Sequence, residues 1–285
     1  MPSIQKLAVI GDPIAHSLSP VLQRFLIRHF ALPFTYEALH IRANDLPKMM
    51  QHLRDGEFRG LNVTIPHKQA VLPFLDEVDE TAARLGAANT IAVEKNKLIG
   101  YNTDVAGFLR SLKAAGISPS GKNLFVLGAG GAARAVIFAL LKTGVQKIFL
   151  CNRSAERAQA LLAAFATDNR PQYVRWPERL NWLQNNKIDI VINATSIGMH
   201  PQLNESPLPP AAFSPYMIAF DLIYNPLETA FLRAAAETGA KTVNGLGMLI
   251  DQGVAALEIW SQRKFDLRGI YANLENELRQ ALKSS

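Results

Sequence analysis

The chain has 285 residues, 48% of them hydrophobic, with 18 Gly and 16 Pro, which is ample for about two ordinary cores and excludes a disordered class. Its net charge of +6, from 30 basic and 24 acidic residues, is dispersed, with no basic run of interleaved aromatics to bind nucleic acid. No apolar run approaches the ~18 residues that cross a membrane, the start from Met1 to Lys6 lacks the apolar stretch of a signal peptide, and the one cysteine, Cys151, reads as a small buried residue of a reducing cytoplasm.

Lys6 to Gly11 reads as a buried strand, and Pro20 to Phe30 as a helix entered through Ser19. Phe34 to Leu39 is a second strand, Asp45 to Asp55 a helix, and Gly60 to Thr64 a third strand. A helical region opens at Pro66 and another runs from Asp79 to Leu85, before short strands at Thr90 to Val93 and Lys97 to Ile99. This alternation predicts an α/β layer structure with parallel pairing.

A second α/β series begins after Gly121. Its strands are expected at Asn123 to Leu127, Lys147 to Cys151, Ile188 to Asn193, Met217 to Asp221 and Lys241 to Val243. Helices at Ala132 to Thr143, Ala155 to Ala166 and Pro226 to Glu237 complete a doubly wound nucleotide-binding pattern. Pro201 to Pro215, with five prolines, is a loop just past a strand end, where such sheets bind ligands. The chain then ends in helices, at Met248 to Gln262 and Ala272 to Leu282.

The most specific local signal is Gly128-x-Gly130-x-x-Ala133, placed between a strand and a helix. It fits the dinucleotide-binding turn, in which the first glycine makes the turn and the second admits a pyrophosphate. The alanine then lets helix and strand pack closely. A pyrophosphate there faces free N–H groups at the positive end of a helix. The next strand carries no acidic residue for the ribose hydroxyls; Asn152-Arg153-Ser154-Ala155-Glu156-Arg157 follows instead. Arg153 and Arg157 favour a 2′-phosphate, hence NADP over NAD.

The turn starts well over a hundred residues into the chain, so the N-terminal third does something else. Polar groups recur there just after strand ends. Ser17 and Ser19 flank one residue, and Ser19-Pro20 also makes a good helix start. Lys68 follows Pro66 in an expected first helical turn, where a cation is poorly placed; beside it, His67 reads as structural. Gly86-Ala87-Ala88-Asn89-Thr90 and Asn102-Thr103-Asp104 follow, and Asp104 taken singly is a candidate helix cap. Spacing suggests no metal site.

Ser17-x-Ser19-Pro20, Asn62-Val63-Thr64-x-Pro66-x-Lys68, Gly86-Ala87-x-Asn89-Thr90, Asn102-Thr103-Asp104, Gly128-Ala129-Gly130-Gly131-Ala132, Asn152-Arg153 and Gly245-Leu246-Gly247-Met248-Leu249-x-x-Gln252 occur here in one order. In that order the chain, from about residue 5 to 265, resembles the shikimate dehydrogenases. The resemblance implies an NADP-dependent oxidoreductase reducing 3-dehydroshikimate to shikimate in aromatic amino-acid biosynthesis, as a cytoplasmic monomer or homodimer. It implies an α/β fold of two domains. Residues 1–104 and 245–285 would bind the substrate, the C-terminal helices completing that domain, and 105–244 would form a Rossmann-type NADP domain.

The same resemblance implies the site. Ser17 and Ser19, assisted by Tyr224, would hold the substrate carboxylate, while Thr64, Lys68, Asn89, Asp104 and Gln252 surround the ring hydroxyls. Lys68 and Asp104 would be the catalytic pair. Gly128, Ala129, Gly130, Gly131 and Ala132 would meet the pyrophosphate, Asn152, Arg153, Ser154 and Arg157 the adenosine phosphate, and Leu222 and Gly245 the nicotinamide. Hydride transfer at a ring carbon needs one positioned acid or base at its oxygen, a role open to lysine. Two alternatives stay open: a quinate/shikimate dehydrogenase with relaxed cofactor use, and a non-catalytic sensor of shikimate and NADP. Arg153, Arg157 and Ser17 weigh against the first, and the presence of both Lys68 and Asp104 against the second.

Overall fold

The computed structural model describes residues 4–283; Met1 to Ser3, part of the segment read for a signal peptide, lie outside the described residues. Two compact units emerge, Met1–Gly107 with Ile250–Ser285, and Phe108–Leu249.

The first unit runs β1 (Gln5–Gly11), α1 (Ser19–His29), β2 (Phe34–His40), α2 (Leu46–Arg54), β3 (Gly60–Val63), β4 (Glu77–Val78), α3 (Glu80–Leu85), β5 (Thr90–Glu94), β6 (Lys97–Tyr101) and the start of α4 (Asp104–Ala114). Its strands lie in the order β2-β1-β3-β5-β6-β4. The expectation of parallel pairing holds only for part of this sheet. β1 is parallel to β2 and β3, but β5 runs antiparallel to both β3 and β6. The reversal is a tight hairpin in which Lys95 and Asn96 adopt φ of 48° and 64°. Positive φ at both central residues gives the turn a twist that matches the strands.

One face of this sheet buries Ile10, Leu61, Val63, Ile91 and Leu98 in a common core with Met49, Met50 and Leu53 of α2. Two helix readings need correction. Ser19 is not the cap of α1: Leu18 occupies the cap position and Ser19 is already helical. No α-helix opens at Pro66 either. Residues 65–71 form successive turns, followed by a short 3-10 turn at Leu72–Phe74. Lys68 therefore opposes no helix dipole.

The second unit continues with β7 (Asn123–Leu127), α5 (Gly131–Leu141), β8 (Lys147–Asn152), α6 (Ala155–Ala163), β9 (Pro171–Arg175), α7 (Arg179–Asn185), β10 (Ile190–Asn193), β11 (Ile218–Asp221), α8 (Ala230–Ala236) and β12 (Lys241–Val243). All its strands pair in parallel, in the order β12-β11-β10-β7-β8-β9. The order reverses between β7 and β10, the crevice where ligands bind in such sheets. The α8 helix begins later than Pro226, because Thr229 caps it by accepting from Leu232 N. Two elements of this unit, β9 and α7, and β4 of the first are not among those the sequence pattern predicts. β9 is an edge strand opening on Pro171, a position that tolerates proline. The chain closes with α9 (Leu246–Ser261) and α10 (Tyr271–Lys283).

Cys151 is fully buried and its thiol is pushed up to about 12 by that burial, so it is an inert core residue. Among the described residues no helix is long and apolar enough to cross a membrane, and no group of His, Cys, Asp and Glu could hold a metal.

Candidate active site

The polar residues of the first unit converge through strand register. Asn62 on β3 stands opposite Thr90 on β5, and Thr90 opposite Tyr101 on β6. Because β5 is antiparallel to both neighbours, its start meets their ends. Thr64 and Lys68 after β3, Asn89 before β5 and Asp104 after β6 are thereby brought to one edge.

There Lys68 Nζ donates to Asp104 Oδ2 at 2.6 Å, and Asn89 Nδ2 donates to Asp104 Oδ1 at 2.8 Å. Both carboxylate oxygens are engaged, which answers the capping reading of Asp104. Asn89 cannot flip, because its Oδ1 accepts from Thr103 N at 2.8 Å and from the hydroxyls of Thr90 and Thr103. The Lys68 backbone is fixed too, its carbonyl accepting from Ala88 N at 2.8 Å. The side chain of Asp104 is 11% exposed and that of Lys68 24%. Such a charge-assisted contact away from bulk water is strong and directional, and it accounts for a lysine here without a helix.

Ser17 and Ser19 stand half-buried at the start of α1, the Ser17 hydroxyl accepting from Ser19 N at 3.3 Å. Tyr36 is buried, and that burial raises its phenol pKa well above the usual value, the Ser19 hydroxyl acting in the opposite sense. Tyr36 in turn donates to Asn62 Oδ1 at 2.6 Å, and Asn62 Nδ2 reaches Asn89 O and Thr90 Oγ1. One hydrogen-bonded line thus ties Tyr36, through Asn62 and Asn89, to the Lys68–Asp104 pair. A tyrosine inside a strand reads as packing in the sequence, and only the fold shows the Tyr36 hydroxyl reaching Asn62.

Bare backbone brings in the last two residues. A Cβ on Gly11 would stand 2.5 Å from Thr64 Cγ2, and one on Gly107 would stand 2.7 Å from Gln252 Cβ. Gly107 lies one turn beyond Asp104 on α4, so α9 approaches closely enough to set Gln252 near that face. His67 is buried and donates through Nε2 to Ile41 O at 2.6 Å, a structural role.

In the second unit the strand ends form a row. Cys151, Leu127, Asn193 and Asp221 are register partners across the sheet. Gly128 therefore begins its turn beside Ala194, and it needs to be glycine. Its φ is 105° and a Cβ would sit 2.7 Å from Ala194 O. Gly130 and Gly131 differ, since a Cβ on either meets nothing within 4 Å. They leave open space at the start of α5, with Ala129 and Ala132 alongside and Ala133 buried beneath.

Asn152 Nδ2 donates to Ser154 O at 2.9 Å, and Ser154 caps α6 by accepting from Arg157 N. Arg153 and Arg157 are exposed, and among the described residues neither guanidinium has an ion-pair partner. Two unpaired arginines around a capped helix start are suited to a phosphate. Leu222 and Gly245 meet through backbone: a Cβ on Gly245 would lie 2.1 Å from Leu222 O. Tyr224 follows, half-buried, in this unit.

Three family models match along the chain. Residues 9–91 match the shikimate dehydrogenase substrate binding domain, 112–222 the shikimate/quinate 5-dehydrogenase family, and 245–275 the shikimate 5′-dehydrogenase C-terminal domain. Shikimate dehydrogenase (NADP(+)) of Moorella thermoacetica is 43% identical over 281 residues, covering 98% of this chain and 94% of its own length. Among solved structures, shikimate 5-dehydrogenase of Thermus thermophilus in complex with NADP(H) and shikimate is similar with a TM-score of 0.86 and 39% identity, over 97% of this chain and 99% of that one. The Listeria monocytogenes enzyme in complex with shikimate and NAD gives 0.88 at 32% identity, over 95% and 96%.

Proposed function

The chain belongs to the shikimate dehydrogenase family, and on that premise we propose that it interconverts 3-dehydroshikimate and shikimate with NADP, using Lys68 and Asp104 as its proton-handling pair. The observation carrying this reading is the Lys68 Nζ–Asp104 Oδ2 contact of 2.6 Å, braced by Asn89 on the other carboxylate oxygen.

Bound NADPH supplies the hydride. The chain has to bind, orient and move one proton. In the reducing direction the Lys68 ammonium gives its proton to the substrate oxygen as the carbonyl becomes an alcohol; in the oxidising direction the amine takes it back. Asp104 holds Lys68 in place and accepts from the adjacent ring hydroxyl. Thr64, Asn89 and Gln252 hold the remaining hydroxyls. Ser17 and Ser19 take the carboxylate. The first unit is thus the substrate domain and the second the NADP domain.

The cofactor residues support the assignment physically. Gly130 and Gly131 face open space at a helix start, and Arg153 and Arg157 offer unpaired charge for the 2′-phosphate. Gly128, Ala129 and Ala132 shape the turn, Asn152 and Ser154 fix the arginine segment, and Leu222 and Gly245 form the nicotinamide side. A buried, unreactive Cys151 suits a cytoplasmic enzyme, as monomer or homodimer.

The test combines the substrate panel with one variant. Turnover is expected to be fast with shikimate and NADP and slow with quinate or NAD. Lys68→Ala should lower kcat by roughly 10²–10⁴-fold, with NADP binding and the melting temperature near wild type. Near-normal kcat in that variant refutes the proton role, and no turnover by wild type with any pair refutes the enzyme.

A further inference from the structure

Asn193 and Asp221 are polar residues at the ends of two otherwise apolar strands, and both are fully buried. Asp221 Oδ1 accepts from Ile223 N at 3.0 Å and from Asn193 Nδ2 at 3.1 Å, while Oδ2 accepts from Thr229 Oγ1 at 2.6 Å. Asn193 Oδ1 accepts from Thr195 N and, at 2.7 Å, from Thr195 Oγ1. Its carbonyl accepts from Leu222 N at 3.0 Å. Every donor to Asp221 is neutral, so no ion pair compensates its burial. A buried carboxylate without a cation is costly to keep, and packing alone would be served by an apolar residue.

What the pair touches is more informative. The Thr195 segment is the one that Gly128 can approach only without a Cβ, Ala194 O lying 2.7 Å from where that atom would be. The Ile223 segment is the one that Gly245 can approach only without a Cβ. Asn193 and Asp221 therefore link the Gly128 turn, through two neighbouring strand ends, to Leu222 and Gly245.

We propose that Asp221, acting through Asn193 and Ile223 N, is a positioning residue that sets the nicotinamide side of the cofactor site, Leu222 and Gly245, relative to the pyrophosphate turn. Resting on the NADP reading above, this makes a distinction that a general structural role does not. Loss of Asp221 displaces the segment after β11 and leaves the Arg153–Arg157 segment, across the sheet after β8, as it was. The cofactor should then suffer at one end only.

The experiment compares two nucleotides on Asp221→Asn, both by titration: NADP, and adenosine 2′,5′-bisphosphate, which has the phosphates but no nicotinamide. NADP affinity is expected to fall roughly ten-fold or more, the scale of one lost hydrogen bond to a charged group. The bisphosphate and the KM for shikimate should stay within about two-fold, the noise of independent sites. If Asp221→Asn does not fold, Thr229→Val removes one donor to the carboxylate and should give the same asymmetry in weaker form. Equal weakening of both nucleotides, or no weakening of either, overturns the proposal. Failure of the wild type to bind either nucleotide instead overturns the NADP reading beneath it.

Discussion

The three glycines of the Gly128-x-Gly130-Gly131 turn should separate cleanly into one that the fold needs and two that the ligand needs. Gly128 has φ of 105°, and a Cβ there would approach Ala194 O to 2.7 Å and Thr195 N to 3.1 Å. Backbone held in a glycine-only region costs another residue about 1–3 kcal/mol, and pressing a methyl against backbone costs a further ~1–3 kcal/mol. Gly128→Ala should therefore destabilise the second unit by about 2–6 kcal/mol, a fall in Tm of roughly 5–20 °C at this size.

Gly130 adopts φ of −86° and ψ of −174°, extended backbone open to any residue, and Cβ atoms at 130 and 131 meet nothing within 4 Å. Gly130→Ala should leave stability unchanged or raise it by about 0.4–1 kcal/mol, through a less flexible unfolded chain. Its methyl would occupy the space proposed for the pyrophosphate, so NADP affinity should drop by at least roughly ten-fold, or ~1.4 kcal/mol. Thermal melts paired with NADPH titrations measure both effects. A stable Gly130→Ala variant with wild-type NADP affinity would show that no pyrophosphate seats there. Gly128→Ala with an unchanged Tm would refute the steric argument itself.

Arg153→Ala and Arg157→Ala should each raise the KM for NADP by roughly ten-fold, the scale of a lost hydrogen bond to a charged group, and leave the KM for NAD unchanged; parallel changes in both would remove the 2′-phosphate assignment. Stability should also carry a signature of Asp221, whose pKa burial raises from 3.8 to about 6. A raised folded-state pKa means the folded state binds the proton more tightly. The stabilisation is thus complete below pH ~4 and is lost as pH rises through ~6, by about 3 kcal/mol. The unfolding free energies of wild type and Asp221→Asn should diverge by about 2–3 kcal/mol between pH 4 and 7, and superimposable profiles would show that Asp221 does not titrate in this range.

What the sequence made legible was decided by how local each cause is. The glycine turn, the arginines after β8 and the strands of the second unit other than β9 depend on neighbours in sequence, and Asn123–Leu127 and Lys241–Val243 fall where composition places them. The first sheet was harder because its reversal rests on Lys95-Asn96, a turn pair less telling than Asn-Gly. The supposed helix after Pro66 misled for a related reason. A proline that suits a helix start also suits a run of turns, and nothing local distinguishes them. Locally Lys68 reads as a cation at a helix start; in the fold it is held by Asp104, a contact 36 positions away in sequence. The same distance hid Tyr36, Asn193 and Asp221. Asn193 and Asp221 end apolar strands and Tyr36 lies inside a mixed one; locally such residues read as interruptions or as packing, until the fold supplies their partners. The motif order therefore pointed to the residues that would touch ligand. The residues that hold those in place became visible only once Asn62 stood opposite Thr90, and Asn193 opposite Asp221.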